Sequence, residues 1–354
     1  MDSEQTAMDK MDKVDDTSGP IAARVLWFAA ARRPEFRQEV VPPPGPGEVR
    51  VRALASALSQ GTEMLVYRGQ VPADLPLDLP TLAGSFAFPI KYGYASVGRI
   101  VDVGADVTGR AIGDAVFVLH PHQTHYVVPA TLTVPLPPSL DPLLGLFTAN
   151  LETALNIVHD TPLRLGETAL VCGQGTVGLL VAQLLRRAGA ACVLAVDPLE
   201  RRRALALQIG VDEALAPGDD IPARVRALTG GRGVDVAIEV SGNGAALQTA
   251  IDAVADEGTV VVASWYGTKS VTLTLGGHFH RGRVRLRSSQ VGRLNPELAP
   301  RWDYARRLET VVDLLPRLRL AELISHRFSF DDAPEAYHLV DERPGDAAQV
   351  ALMY

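Results

Sequence analysis

Only two cysteines occur in the 354 residues, too few for a disulfide framework or for a four-cysteine structural zinc lobe. Both, Cys172 and Cys192, fall in short apolar runs, where a thiol serves as a small buried hydrophobe. No apolar run reaches the length that spans a bilayer. Residues 1–20, MDSEQTAMDKMDKVDDTSGP, lack the basic start and apolar middle of a signal peptide. They read as a polar, disordered tail, and the chain as cytoplasmic. Basic residues are in deficit: 34 Lys and Arg against 41 Asp and Glu give a net charge of −7. That balance argues against a nucleic-acid partner, which needs a basic face. Internal repeats are absent.

The most informative stretch is ETALVCGQGTVGLLVAQLLRRAGAACVLAVD, residues 167–197. Thr168–Cys172 has the continuous apolar character of a strand buried on both faces. Gly173, Gly175 and Gly178 follow in the pattern G-x-G-x-x-G. The first glycine permits a tight turn, the second leaves room for a pyrophosphate, and the third lets the helix pack closely. The helix expected over Thr176–Arg187 offers its first amides to an anion, so Gly173, Gln174, Gly175, Thr176, Val177 and Gly178 form a candidate phosphate cradle. Asp197 lies about twenty residues on, placed to bond a ribose 2′-hydroxyl. Its carboxylate would repel a 2′-phosphate, so NAD is expected over NADP. Arg201, Arg202 and Arg203 soften that preference, since an arginine can accommodate the phosphate.

The length suggests two domains. Residues 23–30 and 36–41 alternate as a hairpin, and a proline-glycine turn at 42–47 feeds the alternating strand 48–55. Further β runs at 95–103, 115–119 and 124–129 complete a small β domain over 21–141. From 142 the pattern changes to a connecting helix at 143–158, then to strands alternating with helices through 289. This predicts a doubly wound parallel sheet over 142–303. Residues 304–354, with helical spacing at 302–317, a strand at 324–328 and a helix at 331–340, are expected to return to the first domain.

Several stretches resemble the medium-chain dehydrogenase/reductase superfamily, which includes zinc alcohol dehydrogenases, threonine and sorbitol dehydrogenases and quinone oxidoreductases. PPPGPGEVRVRALASALSQGTE resembles the start of the family's GroES-like domain, and GYASVGRIVDVGADV with IGDAVFV its middle. GGRGVDVAIEVSGN resembles the strand and loop beside the adenosine half of the cofactor, and HRFSFDDAPEAYHLV the closing segment. The resemblance implies a GroES-like β domain joined to a Rossmann NAD-binding domain, a homodimer, and hydride transfer between NAD and a small alcohol or carbonyl substrate. On matched positions it implies that Asp197 and Arg202 hold the adenosine ribose, that Ser241 lines the adenosine side, and that Thr153 touches the nicotinamide. The segment from Gly61 to Leu65 and the pair Gly93-Tyr94 resemble the bacteriochlorophyllide dehydrogenase branch, which oxidises a hydroxyethyl side chain.

The departures concern the metal. Where zinc alcohol dehydrogenases carry a cysteine before Gly-Thr/Ser-Asp, this chain has Gln60-Gly61-Thr62-Glu63. Their Gly-His-Glu is Gly93-Tyr94-Ala95 here, and their third ligand matches a position near Ala149. Glutamine, tyrosine and alanine are poor zinc donors, so neither a catalytic nor a structural zinc is expected. Thr62 occupies the place of the family's proton-relay hydroxyl. Tyr94 has two readings: a phenol that donates to the substrate carbonyl, or a side chain filling the vacated metal site.

Three histidines lie close together at His120, His122 and His125. Pro121 turns them apart, so His120 and His125 read as surface or partly buried polar residues. His122 stands as a candidate acid/base, with Glu152 either its partner or a structural residue. His278 and His280 read as a loop before an arginine-alternating strand over 281–287 that would sit at an interface. Trp265 and Tyr266 either line the substrate side or plug the interdomain cleft. Two other functions stay open: a quinone or enoyl reductase using NADPH, and a cofactor-binding protein without turnover.

Overall fold

The computed structural model describes residues 19–77, 79, 81–82 and 84–354. The expected tail, apart from Gly19 and Pro20, lies outside the described residues. Strands β1 (Ile21–Ala30) and β2 (Arg33–Val41) pair antiparallel as the alternation predicted. Then follow β3 (Glu48–Leu58), the short helix α1 (Thr62–Tyr67), β4 (Ser96–Val103), β5 (Ala115–Val118), β6 (His125–Pro129) and β7 (Val134–Pro135). Helix α2 (Thr148–Asp160) leads into β8 (Thr168–Cys172), α3 (Thr176–Arg187), β9 (Cys192–Val196), α4 (Glu200–Gln208) and β10 (Glu213–Leu215). The alternation continues with α5 (Ile221–Leu228), β11 (Val234–Glu239), α6 (Gly244–Ala253), β12 (Val254–Val262), α7 (His278–Arg281) and β13 (Arg285–Ser288). Helix α8 (Tyr304–Leu314), β14 (Ile324–Ser329), α9 (Ala333–Glu342) and β15 (Gln349–Met353) complete the chain.

Two large sheets result. The second is a six-stranded parallel sheet in the order β10-β9-β8-β11-β12-β13. The strand order reverses between β8 and β11, the crevice where such sheets bind ligands beyond their carboxyl ends. The first sheet has seven strands, with β14 and β15 added to β3 by residues far along the chain. The expected return of the C-terminal segment is therefore a strand pairing, Val350 opposite Leu58.

An apolar cluster joins the sheets: Ala55, Val97 and Phe117 of the first pack with Leu146, Leu151, Leu180 and Val171 on the other side. A second cluster gathers Phe28, Met64, Tyr67, Tyr92 and Tyr337 beneath α1 and α9. Among the described residues no helix is long and apolar enough to cross a membrane.

Three local expectations need correction. The connecting helix begins at Thr148 rather than 143, because Pro142 and an Asp141 side chain bonded to the Leu143 amide set a 3-10 turn over Pro142–Phe147. The arginine strand is broken: His278–Arg281 winds one turn, and β13 begins only at Arg285. Glu152 does not reach His122. Its Oε1 accepts from Arg307 Nε at 3.1 Å and Nη2 at 2.7 Å, while Arg307 Nη1 donates to Asn156 at 2.7 Å. Arg307 is only 2% exposed, so this pair clamps α8 to α2. Arg307→Met leaves Glu152 and Asn156 without their donor and is expected to lower unfolding free energy by about 3 kcal/mol, read from urea denaturation. An unchanged midpoint would show that the clamp contributes nothing.

Candidate active site

At the carboxyl end of β8 the chain turns through Gly173 with φ 104°, backbone that favours glycine. A Cβ there would lie 2.9 Å from the backbone nitrogen of Ser241, at the end of neighbouring β11. At Gly178 a Cβ would fall 1.9 Å from the Gly173 carbonyl oxygen, so only glycine lets α3 approach this closely. The amides of Thr176, Val177 and Gly178 have no carbonyl inside the helix to bond, and no side chain caps this end. Gly175 keeps the approach open, with Arg202 Nη1 the nearest atom at 4.0 Å from a Cβ placed there.

Asp197 is 3% exposed and accepts from the amides of Gln174 at 2.7 Å and Leu199 at 2.9 Å. A carboxylate has about four acceptor positions, so capacity remains for ribose hydroxyls. Gln174 Nε2 donates to the Val171 carbonyl at 3.0 Å, while its buried Oε1 meets no donor. Ser241 is fixed by fully buried Glu239, which accepts from its amide and hydroxyl, both at 2.6 Å. Thr153, on α2, donates to the Ala149 carbonyl at 3.1 Å. Free amides, glycine clearance, a buried acid and an orphaned acceptor fit a dinucleotide.

The second half of the site starts where α1 opens at Thr62. Glu63, in the first turn, has no exposed surface. Its Oε1 meets His122 Nε2 at 2.8 Å and accepts from the Tyr337 hydroxyl; its Oε2 accepts from the Ser59 amide at 3.0 Å. Burial and the Glu63 charge push the Tyr337 phenol well up, which keeps it a donor. His122 Nδ1 meets Ser56 Oγ at 2.6 Å, and Ser56 meets the Tyr354 hydroxyl at 2.9 Å. Both ring nitrogens are thus occupied, and Gly93 lies against the ring, with room for no side chain: a Cβ there would be 2.8 Å from Nε2. The Ser56, His122, Glu63 line has the order of a hydrolase triad, yet all three are buried and no substrate could reach the serine.

Tyr94, half-buried, donates to Ser59 Oγ and also bonds the Thr62 side chain. Burial pushes its phenol up to about 12, helped by the Glu63 charge and opposed by the two hydroxyls. The structure therefore brings Thr62 and Tyr94 together and sets His122 in a closed layer with Glu63, not Glu152. His120 departs from its expected polar setting. It is 7% exposed, stacks on Tyr126 at 3.7 Å, and burial lowers its pKa to about 3.

Ser59, Glu63 and Tyr337 were missed as site residues. Glu63 had a signal, an acid directly after Thr62. Tyr337 had none, because α9 joins the site only through the fold.

Zinc does not fit this donor set. Gln60 donates through Nε2 to the Ala348 carbonyl and accepts from Arg202 Nη2 at 2.8 Å. Tyr94 is a neutral phenol, and Ala149 offers no donor. Among the described residues, no three His, Cys, Asp or Glu side chains gather as a possible metal site.

Beyond α1 a cleft of about 320 Å³ opens between Leu65 with residues 69–72 and residues 266–269. Leu65 stands one helical turn from Thr62. Tyr266 lines this cleft and donates to Glu239 Oε2 at 2.8 Å, linking its wall to the cradle. Trp265 is 45% exposed and does not line it.

Comparison with known proteins bears on the family and the fold. The zinc-binding dehydrogenase family model matches residues 176–307. The chain is 30% identical over 329 residues to D-guloside 3-dehydrogenase of Escherichia coli K12, covering 87% of this chain and 93% of that one. Its fold matches a dehydrogenase from Sinorhizobium meliloti 1021 bound to NADP, with TM-score 0.77 and 21% identity over 94% of this chain and all of the other. It also matches an alcohol dehydrogenase from Escherichia coli CFT073 complexed with NADH, with TM-score 0.78 and 18% identity over 94% and 99% of the two chains. The chain belongs to the zinc-binding dehydrogenase family, within the medium-chain dehydrogenase/reductase superfamily.

Proposed function

We propose that the protein is an NAD-dependent, zinc-independent oxidoreductase that interconverts an alcohol and its carbonyl. A sugar hydroxyl is the first substrate class to test, given the guloside dehydrogenase likeness. The observation that carries this reading is the Tyr94 phenol, held by Ser59 and Thr62 above the Glu63–His122 pair. Bound NAD supplies the hydride acceptor or donor. Asp197 takes the adenosine ribose, with Ser241 and Thr153 along the cofactor's path.

In carbonyl reduction Tyr94 donates its proton to the substrate oxygen, and in oxidation it receives one. Thr62 and Ser59 orient the phenol. His122 and Tyr337 act through Glu63, which fixes the Ser59 loop and raises the phenol. The cleft beside Leu65 and Tyr266 takes the substrate, and its closure excludes water from the reacting atoms. A homodimer through the edge strand β13, whose Leu286 is 39% exposed, accompanies this reading.

NAD is favoured over NADP by the Asp197 carboxylate, and two of the three neighbouring arginines are already engaged. Arg203 donates to the carbonyls of Asp197 and Pro198 at 2.8 and 2.9 Å, and Arg201 to the Asp346 carbonyl at 2.7 Å. The same engagement counts against an NADPH-dependent quinone or enoyl reductase.

NADH is expected to bind at least about tenfold more tightly than NADPH, a difference of about 1.4 kcal/mol, in fluorescence titrations. Elemental analysis of the same sample should find zinc well below one per chain; tighter NADPH binding or stoichiometric zinc would overturn the respective half of the proposal. Tyr94→Phe should lower kcat/KM for carbonyl reduction about a hundredfold or more. The ratio of wild-type to Tyr94→Phe rates should stay flat through pH 10, because the phenol loses its proton only near about 12. A ratio that falls with a midpoint near pH 10 would mean that the phenol is not desolvated.

A further inference from the structure

Gln60 stands where zinc-dependent relatives carry their first metal-ligand cysteine, and its side chain is turned to another task. Arg202 rises from α4, beside the cofactor cradle. Its Nη2 crosses to Gln60 Oε1 at 2.8 Å and to the Pro344 carbonyl at 2.9 Å. Gln60 is itself anchored through Nε2 to the Ala348 carbonyl, just before β15. Gln60, Pro344 and Ala348 belong to the side built by the first sheet, so one hydrogen-bonded chain links the two sheets at the adenosine end of the cleft.

The guanidinium is incompletely satisfied. Its Nε is buried and has no acceptor. The Asp197 carboxylate stays 4.0 Å from Nη1, the atom that also stands nearest the space above Gly175. The side chain is only 17% exposed. A cation so placed, with no carboxylate in direct contact, leaves room for an anionic or hydroxyl-bearing ligand to complete its shell. A neutral glutamine holds the fork without neutralising it. A carboxylate at position 60 would compete with the phosphates for the same charge.

We infer that Gln60 is a positioning residue: it holds Arg202 for the adenosine-diphosphate half of the cofactor, and so ties filling of the cradle to the loop that carries Ser59 and Thr62. This rests on the dinucleotide reading above, and it gives the replaced ligand position a role in cofactor binding rather than in proton transfer.

The test is a double-mutant cycle read by calorimetry with NADH and with ADP-ribose, which lacks the nicotinamide. Gln60→Met keeps the side-chain length and removes both polar atoms; Gln60→Asn, which withdraws them by one methylene, serves if that variant does not fold. Loss of one hydrogen bond to a charged group predicts a Kd about tenfold higher for both ligands, by the same factor. In the Arg202→Ala background the Gln60→Met penalty should shrink below about twofold, since the two residues act as a unit. A penalty of equal size with and without Arg202 would overturn the inference, because a merely structural effect would not depend on that arginine. Weakened NADH with unchanged ADP-ribose would overturn it too, placing the effect at the nicotinamide end. Failure of the wild-type protein to bind either ligand is a different result, and it removes the dinucleotide reading itself.

Discussion

The buried Glu63 carboxylate is the constraint on which the candidate site around α1 depends. Taking an ionised group out of water costs several kcal/mol unless partners replace the lost solvation. Here the partners come from three places: the Ser59 amide from the loop after β3, His122 from the turn before β6, and Tyr337 from α9. The carboxylate can be satisfied only when all three segments are assembled. Tyr337 also stacks on Tyr67 at 5.0 Å and meets Phe28 edge-on at 5.1 Å, so the same side chain completes the aromatic cluster beneath α1. Burial of apolar rings and satisfaction of one charge therefore converge on one phenol. The C-terminal segment is both a strand of the first sheet and a wall of the site.

The cofactor half was legible because its physics is local. Glycine spacing, a buried strand and an acid at the next strand end are properties of some thirty consecutive residues, and the structure places each where the turn requires it. The parallel sheet was legible from the alternation of strands and helices, whereas the order of its strands was not; the return of residues 304–354 was expected, and β14 and β15 make it as strands. The second half was legible only in part. Thr62 and Tyr94 were taken from motif positions, whereas Glu152 stood as either the partner of His122 or a structural residue, and the structure gives it the second role. No periodicity reveals that Arg307, on a helix 155 positions away, has already taken that carboxylate. Nor could it reveal that Ser59, the residue before Gln60, accepts the Tyr94 hydrogen bond. Long-range polar pairs are chosen by the packed fold, and sequence patterns record mainly which faces are apolar.

The two positions that depart from the zinc-ligand pattern are not idle. Gln60 and Tyr94 each make specific hydrogen bonds, and the two lead in opposite directions from a single loop. Gln60 reaches toward Arg202 and the cradle, and Tyr94 is held by Ser59 and Thr62 over the Glu63 cluster. A metal would have tied these positions to one point by coordination. Here rigidity comes from a hydrogen-bonded network that joins neutral side chains and backbone carbonyls to the Glu63 carboxylate and the Arg202 guanidinium.

On the reading proposed above, the protonation state of Tyr94 governs how readily the site gives or takes a proton. A phenol held at about 12 is present as phenolate in only about one part in 10⁵ at pH 7. It is then a ready donor to a substrate oxygen that gains negative charge as hydride arrives, since a simple alkoxide is far more basic than a phenolate. In the reverse sense it cannot take the alcohol proton unless its own proton moves at the same time. A proton that leaves Tyr94 toward Ser59 Oγ requires the Ser59 hydroxyl to pass its own proton on to water in the same step. On the reading proposed above, the phenol and its serine partner form one unit: the same proton path serves both directions, with the phenol protonated before reduction and deprotonated before oxidation.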